Sequence, residues 1–88
     1  MKIKSGFVLE KVGSSYLAVA TGDAAKSFQG LVRMNETGAF MWNIVKDSDK
    51  SCEELVEALE KEYDAPRELL LRDAKSFERQ LRDAGIIE

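Results

Sequence analysis

The stretch from residue 31 to residue 42 reads LVRMNETGAFMW, and the organisation of the chain follows from it. Leu31–Met34 is an apolar run that predicts a short strand. Asn35 follows it and can cap a helix by accepting a hydrogen bond from a free backbone N–H of the first turn. Gly38 costs about 1 kcal/mol relative to alanine inside a helix, so its presence indicates close backbone packing. Trp42 lies one turn further along the same helical face.

Two apolar runs precede this stretch, and they predict a β-hairpin. Residues Phe7–Val12 and Tyr16–Ala20 are separated by a turn that contains Gly13 and Ser14. A glycine that can take a positive φ suits a tight two-residue hairpin turn. Residues 21–30 are polar and have no clear period, which predicts a loop. The chain is therefore expected to open with a small three-stranded antiparallel sheet.

Helical patterns follow the sheet. The helix that begins after Asn35 is apolar around most of its girth, as expected for a central, buried helix. Ser51 and Glu54 fit a capping box, in which each side chain bonds a backbone N–H of the other residue. The second helix that they start carries core-spaced apolar residues at Leu55, Val56, Leu59 and Tyr63.

A third helix is predicted from Pro66, whose missing N–H does no harm in the first turn. Gly85 is expected to end this helix, and Ile86-Ile87 to fold back onto the core. The helix carries one apolar stripe, made of Leu70, Ala74, Phe77 and Leu81.

The order of elements predicts the α+β class. A three-stranded antiparallel sheet followed by three helices resembles a winged helix-turn-helix arrangement. With 88 residues, the chain is expected to form one domain over residues 1–88, with one modest core.

The composition removes several function classes. There is no histidine and the single cysteine is Cys52, so an internal disulfide, a cysteine-rich zinc site and a Ser–His or Cys–His pair are excluded. We therefore expect no catalytic residue, no metal and no cofactor. No signal peptide or apolar run long enough to span a membrane is visible, and the cysteine usage is typical of a reducing cytoplasm.

The charges argue against nucleic acid as a partner. The formal net charge is -3, with 33% charged residues of both signs. A helix that reads a DNA groove needs a net positive face to replace condensed counterions. The second helix is strongly acidic and the third has nearly balanced charges, so neither nucleic acid nor a membrane surface is the expected partner.

The motif resembles that of a known family. The run from Leu31 through Asn35-Glu36-Thr37-Gly38 to Trp42 is similar to the central motif of the PqqD family, the small proteins of pyrroloquinoline quinone biosynthesis and their relatives. The resemblance extends over nearly the whole chain. Further matching positions are Phe7, Val12, Tyr16, Ser51, Glu54, Leu55, Leu59, Tyr63, Asp73, Ala74, Phe77, Leu81, Gly85, Ile86 and Ile87.

This resemblance implies a peptide-binding module and not an enzyme. Members of the family act as recognition elements for ribosomally synthesised, post-translationally modified peptides. They hold the leader segment of the precursor peptide and present the rest to a modifying enzyme, often a radical S-adenosylmethionine protein. The leader adds as a strand to the edge of the third strand, in a cleft beside the third helix. The resemblance does not separate quinone-cofactor biosynthesis from a related peptide pathway.

The candidate peptide-binding residues follow from this mode of binding. A sheet edge without proline can accept another chain. If Val32 and Met34 point inward, Leu31 and Arg33 point to the opposite face, although the reverse parity stays open. Three further positions, Asn35, Gly38 and Trp42, are expected to be structural. The full set of predicted peptide-binding residues is Leu31, Val32, Arg33, Met34, Leu69, Arg72, Asp73, Ser76 and Gln80.

Two alternative functions remain at this stage. One is a winged-helix regulator that binds DNA. The other is a homodimeric structural subunit that pairs with itself through the same edge strand. As a peptide-binding module, the protein is expected to be a monomer or a weak homodimer. The edge formed by Leu31–Met34 is the feature on which the peptide-binding hypothesis depends.

Overall fold

The chain begins with a β-hairpin. The computed structural model describes residues 1–27 and 32–87. Strand β1 spans Phe7–Val12 and strand β2 spans Ser15–Ala20, paired antiparallel so that Val12 lies opposite Ser15. This register leaves Gly13 and Ser14 as a two-residue turn, and Gly13 has a φ of +63°. The predicted hairpin is confirmed, with β2 starting one residue before Tyr16.

The segment after the hairpin contains a short helix that the sequence did not indicate. Helix α1 spans Ala24–Ser27, within the stretch 21–30 that was predicted as loop. Backbone N–H groups of Ala25 and Lys26 donate to the carbonyls of Gly22 and Asp23, both at 3.2 Å. The loop prediction is therefore wrong for these four residues, because one polar helical turn is too short to show a period. Residues 28–30 lie outside the described part.

A short edge strand completes the described sheet. Strand β3 spans Val32–Met34 and pairs antiparallel with β2, in the order β1-β2-β3. Val32 and Met34 are 8% and 7% exposed, whereas Arg33 is exposed. Val32 and Met34 therefore point inward, which decides between the two parities that the sequence left open. Leu31, predicted as the first residue of this strand, lies outside the described residues.

Three longer helices follow β3. Helix α2 spans Glu36–Val45, α3 spans Cys52–Glu62 and α4 spans Arg67–Asp83. The caps form as predicted: the Asn35 side chain accepts from the Gly38 N–H at 2.9 Å, and the capping box at the start of α3 is complete. Pro66 immediately precedes α4 instead of being its first residue. The fold is α+β with an antiparallel sheet followed by helices, and α1 is an additional short helix.

The core lies between the sheet and the longer helices. Trp42 is 2% exposed, as expected for a structural residue, and Ile86 and Ile87 are buried against the helices. Gly38 lies so close to β3 that a Cβ placed on it would be 2.9 Å from the Cβ of Met34. This close approach confirms the packing role inferred for the glycine. The other buried apolar residues are Ile3, Ala18, Val32, Ala39, Met41, Val45, Leu55, Val56, Leu59, Leu70, Ala74, Phe77 and Leu81.

None of the helices in residues 1–27 and 32–87 combines the length and apolar character that crossing a bilayer requires.

Candidate functional site

A groove of about 260 Å³ lies along the free side of β3. The edge strand forms one wall, the first turns of α2 close one end, and α4 forms the opposite wall. This arrangement follows from the sequence, because the Asn35 cap turns the chain from β3 directly into α2. The residues that line the groove are Arg33, Met34, Asn35, Thr37, Gly38, Met41, Asp73, Ser76, Phe77 and Gln80.

The backbone of Arg33 faces this groove. The side-chain amide of Gln80 on α4 donates to the Arg33 carbonyl oxygen at 3.1 Å. In an antiparallel strand the N–H and C=O of one residue point to the same side, and those of its neighbours point to the other. The polar groups of Val32 and Met34 therefore face β2, and those of Arg33 face the groove. The described part of β3 offers one residue for further pairing.

The floor of the groove is apolar and its rim is polar. Met34, Met41 and Phe77 contribute side chains that are 7%, 3% and 4% exposed. Above them on α4, Asp73 and Ser76 lie at the rim. An extended chain in the groove can place apolar side chains on the floor while its backbone pairs with Arg33.

A basic face of α4 lies beside the groove. Ser76 lines the groove and also lines a second depression on α4, together with Arg72, Lys75 and Arg79, and with Glu68 and Leu71. Neither these three cations nor Arg33 has an ion-pair partner among the residues that the structure describes. The protein as a whole carries a charge of -3, so this surface is positive against the overall balance.

The predicted site residues divide between the groove and its surroundings. Val32 belongs to the edge strand but is buried, Arg72 lies on the adjacent basic face, and Leu69 is 41% exposed and lines neither depression. Leu31 lies outside the described residues. The predicted residues that line the groove are Arg33, Met34, Asp73, Ser76 and Gln80.

Sequence reasoning did not select Thr37, Met41 or Phe77 as groove residues. Phe77 was assigned to the core stripe of its helix, and Met41 belongs to the helix predicted to be apolar around most of its girth and buried. Both assignments are correct, because these side chains are core residues whose outer surface also forms the groove floor. Thr37, the last of these three residues, has no feature in the sequence that indicates a groove position, apart from its place in the Asn35–Gly38 motif.

Cys52 has the environment of an unreactive thiol. Burial raises the pKa of the Cys52 thiol, and a contact of 3.4 Å between its Sγ and Oε1 of Glu78 raises that pKa further. Cys52 is the first residue of α3, and a helix N-terminus can lower a thiol pKa. The pKa of Cys52 is nevertheless raised. In the described ranges, no group of three or more Cys, Asp or Glu side chains could hold a metal ion.

Comparison with known proteins shows to which family the chain belongs. Residues 17–87 match the family described as Coenzyme PQQ synthesis protein D (PqqD). The chain belongs to the PqqD family. The match covers the edge strand, the groove and all three longer helices, so the resemblance carried by the Asn35–Gly38 motif is confirmed. No curated protein matches the chain.

A solved structure has the same fold as this PqqD family member. That structure is described as "TbiB1 in Complex with the TbiA(beta) Leader Peptide". The two chains are 23% identical, and the alignment covers 100% of this chain and 95% of the other with a TM-score of 0.74. The likeness confirms the α+β architecture of a three-stranded sheet followed by helices.

Proposed function

We propose that this protein binds the leader segment of a ribosomally synthesised precursor peptide by strand addition to β3. The observation that carries the proposal is the Arg33 backbone, which faces a groove that α4 walls on the other side. An edge strand with outward N–H and C=O groups is a template for an extended peptide. Membership of the PqqD family supports the proposal, as does a structure of the same fold that contains a leader peptide.

Strand addition at Arg33 would impose a pattern on the bound peptide. One guest residue pairs with Arg33, and its side chain lies on the same face of the sheet as the exposed Arg33 side chain. The guest residues on either side point to the opposite face, towards Met34, Met41 and Phe77. The preferred guest therefore has two apolar residues separated by one polar residue.

The positive charges near the groove favour an acidic guest peptide. Arg33 lies across from the central guest residue, and Arg72, Lys75 and Arg79 lie beside the α4 wall. These four cations outnumber the two acidic residues that line the same two depressions, Asp73 and Glu68. An acidic central residue pairs with Arg33, and further carboxylates pair with the basic face of α4. Exposed pairs of this kind contribute little each, so they act mainly on association rate and selectivity.

The bound leader is presented to a modifying enzyme in the cytoplasm. We infer that the enzyme is a radical S-adenosylmethionine protein or another peptide-modifying enzyme, and that this chain itself is not catalytic. Tethering the leader raises the local concentration of the core peptide at the enzyme without new chemistry. A leader that is disordered when free loses conformational entropy on binding, so we expect moderate affinity. The pathway is quinone-cofactor biosynthesis or a related peptide modification.

The test is an amide chemical-shift titration. The probe is a synthetic leader peptide from a precursor encoded in the same gene cluster, and a scrambled version of that peptide is the control. We expect saturable shifts at Val32–Met34, at the start of α2 and along the groove side of α4. Saturable shifts confined to β1, or an unchanged spectrum at millimolar peptide, would contradict the proposed site.

A duplex DNA titration tests the alternative of a winged-helix regulator, which predicts tight, strongly salt-dependent binding.

A further inference from the structure

The side chain of Gln80 already makes a bond that a guest strand would make. A glutamine side chain ends in the same carbonyl and N–H groups as a peptide unit. Its Nε2 donates to the Arg33 carbonyl oxygen at 3.1 Å across the groove, which is the acceptor that a pairing strand would use. Gln80 thus occupies one hydrogen-bonding position of the edge from the side of α4.

We propose that Gln80 is a placeholder for the guest strand. In the free protein its amide satisfies the outward carbonyl of β3, and on binding it gives way to a backbone N–H of the peptide. This inference rests on the proposed function, since it concerns the same edge. It assigns Gln80 the role of competing with the peptide for the Arg33 carbonyl, which differs from the role of a contact residue that adds to affinity.

The surroundings of Gln80 permit this exchange. The side chain is exposed, so it can leave the carbonyl and be solvated without opening the core. Its release restores rotamer freedom that the hydrogen bond removes, which offsets part of the lost interaction. The placeholder also reduces the risk that accompanies an open edge, because a capped carbonyl pairs less readily with a second copy of the chain.

The decisive variant removes the donor and keeps the size of the side chain. Gln80→Met does this, and Asn43→Met is the matched control. Asn43 is an exposed amide residue on α2 outside the groove lining, so its substitution adds the same apolar group without touching the edge. Affinity for the synthetic leader peptide is measured by fluorescence anisotropy. The Gln80 side-chain NH₂ signals of the wild type are followed in parallel by NMR, with and without peptide.

The proposal predicts tighter binding when the competitor is removed. Gln80→Met should bind the peptide about fivefold more tightly than the wild type, the effect of one net hydrogen bond of about 1 kcal/mol. Asn43→Met should bind like the wild type. In the wild type the Gln80 NH₂ signals should be those of a bonded amide in the free protein, and should move to solvated values at saturation.

The possible failures are distinguishable. Equal or weaker binding by Gln80→Met, with wild-type shifts still located at β3 and α4, overturns the placeholder and leaves the peptide site standing. Solvated Gln80 NH₂ signals in the free protein overturn the placeholder without reference to any peptide. Absence of peptide-induced shifts in the wild type overturns the proposed function and the placeholder together.

Discussion

Proline at position 33 tests strand addition at a single backbone group. The N–H of Arg33 faces the groove, whereas those of Val32 and Met34 face β2. Arg33→Pro therefore removes the hydrogen-bond donor offered to a guest and leaves the β2–β3 ladder intact. Proline is tolerated on an edge strand when its missing N–H points away from the sheet, and the extended backbone of Val32 suits a residue before proline.

The expected loss of peptide affinity in Arg33→Pro follows from the hydrogen bond that the guest strand can no longer make. A net hydrogen bond contributes about 0.5–1.5 kcal/mol, and a guest carbonyl left without a donor adds a desolvation cost. Because Arg33 and Gln80 are both exposed, water reaches this end of the groove and keeps that cost low. A total of about 1–2 kcal/mol corresponds to roughly 5–30-fold weaker binding of the leader peptide.

Arg33→Ala is the matched variant, because it removes the same side chain but keeps the backbone N–H. Loss of a cross-strand side-chain pair costs about 0.2–1 kcal/mol, so Arg33→Ala should weaken binding by no more than about fivefold. Both variants are titrated with fluorescent leader peptide, and their thermal unfolding is followed by circular dichroism. If the proline and alanine variants bind equally well while both remain folded, the guest does not pair with this edge.

Four further outcomes are expected. Arg72→Glu should weaken an acidic leader peptide about three- to tenfold at low salt, and the difference should fade at high salt. Gly38→Ala should lower the free energy of unfolding in urea by up to about 2 kcal/mol, because the new Cβ meets Met34 at 2.9 Å and this overpacking exceeds the roughly 1 kcal/mol that alanine gains in a helix. The backbone N–H of Ser51 donates to the Glu54 carboxylate and lowers the pKa of Glu54. The ionised carboxylate therefore stabilises the fold above the ordinary pKa of 4.5, and this stabilisation is lost as the pH falls through the lowered pKa. In Glu54→Gln, the free energy of unfolding should fall less steeply with decreasing pH over this range. Iodoacetamide at pH 8 should alkylate Cys52 more slowly in the folded chain than in urea, because the folded state raises the pKa of its thiol.

The parts of the fold that sequence predicts well are those fixed by local physics. A two-residue turn at Gly13-Ser14, a cap at Asn35 and a capping box at Ser51 each depend on a few neighbouring residues, and all three are present. The apolar stripe of α4 is likewise buried as its helical spacing requires. The short helix α1 was missed because four residues are too few to repeat an apolar position, although Asp23 directly before them is of a type that caps helices.

The candidate site is harder to predict because its walls come from distant parts of the chain. Helical spacing placed Gln80 beside the core stripe of α4, but nothing local indicates that its amide bonds the carbonyl of Arg33, 47 residues earlier. The floor residues Met41 and Phe77 are difficult to predict for a different reason. Their periodicity identifies them as core, and only the packing of α2 against α4 shows that they also form an accessible surface.

The described part of the edge strand, Val32–Met34, indicates where peptide selectivity must come from. Arg33 alone presents outward backbone groups in the described part of β3, and Gln80 already bonds its carbonyl in the free protein. The main gain from the backbone is therefore the bond donated by the Arg33 N–H, about 0.5–1.5 kcal/mol. Micromolar binding corresponds to about 8 kcal/mol, so most of the favourable energy has to come from side chains. Burying apolar groups over Met34 and Phe77 is the larger available source, at about 25 cal/mol per Å². Pairing at the described edge, Val32–Met34, beside an apolar floor should therefore discriminate among peptides by sequence, because the side chains of the peptide supply most of the binding energy.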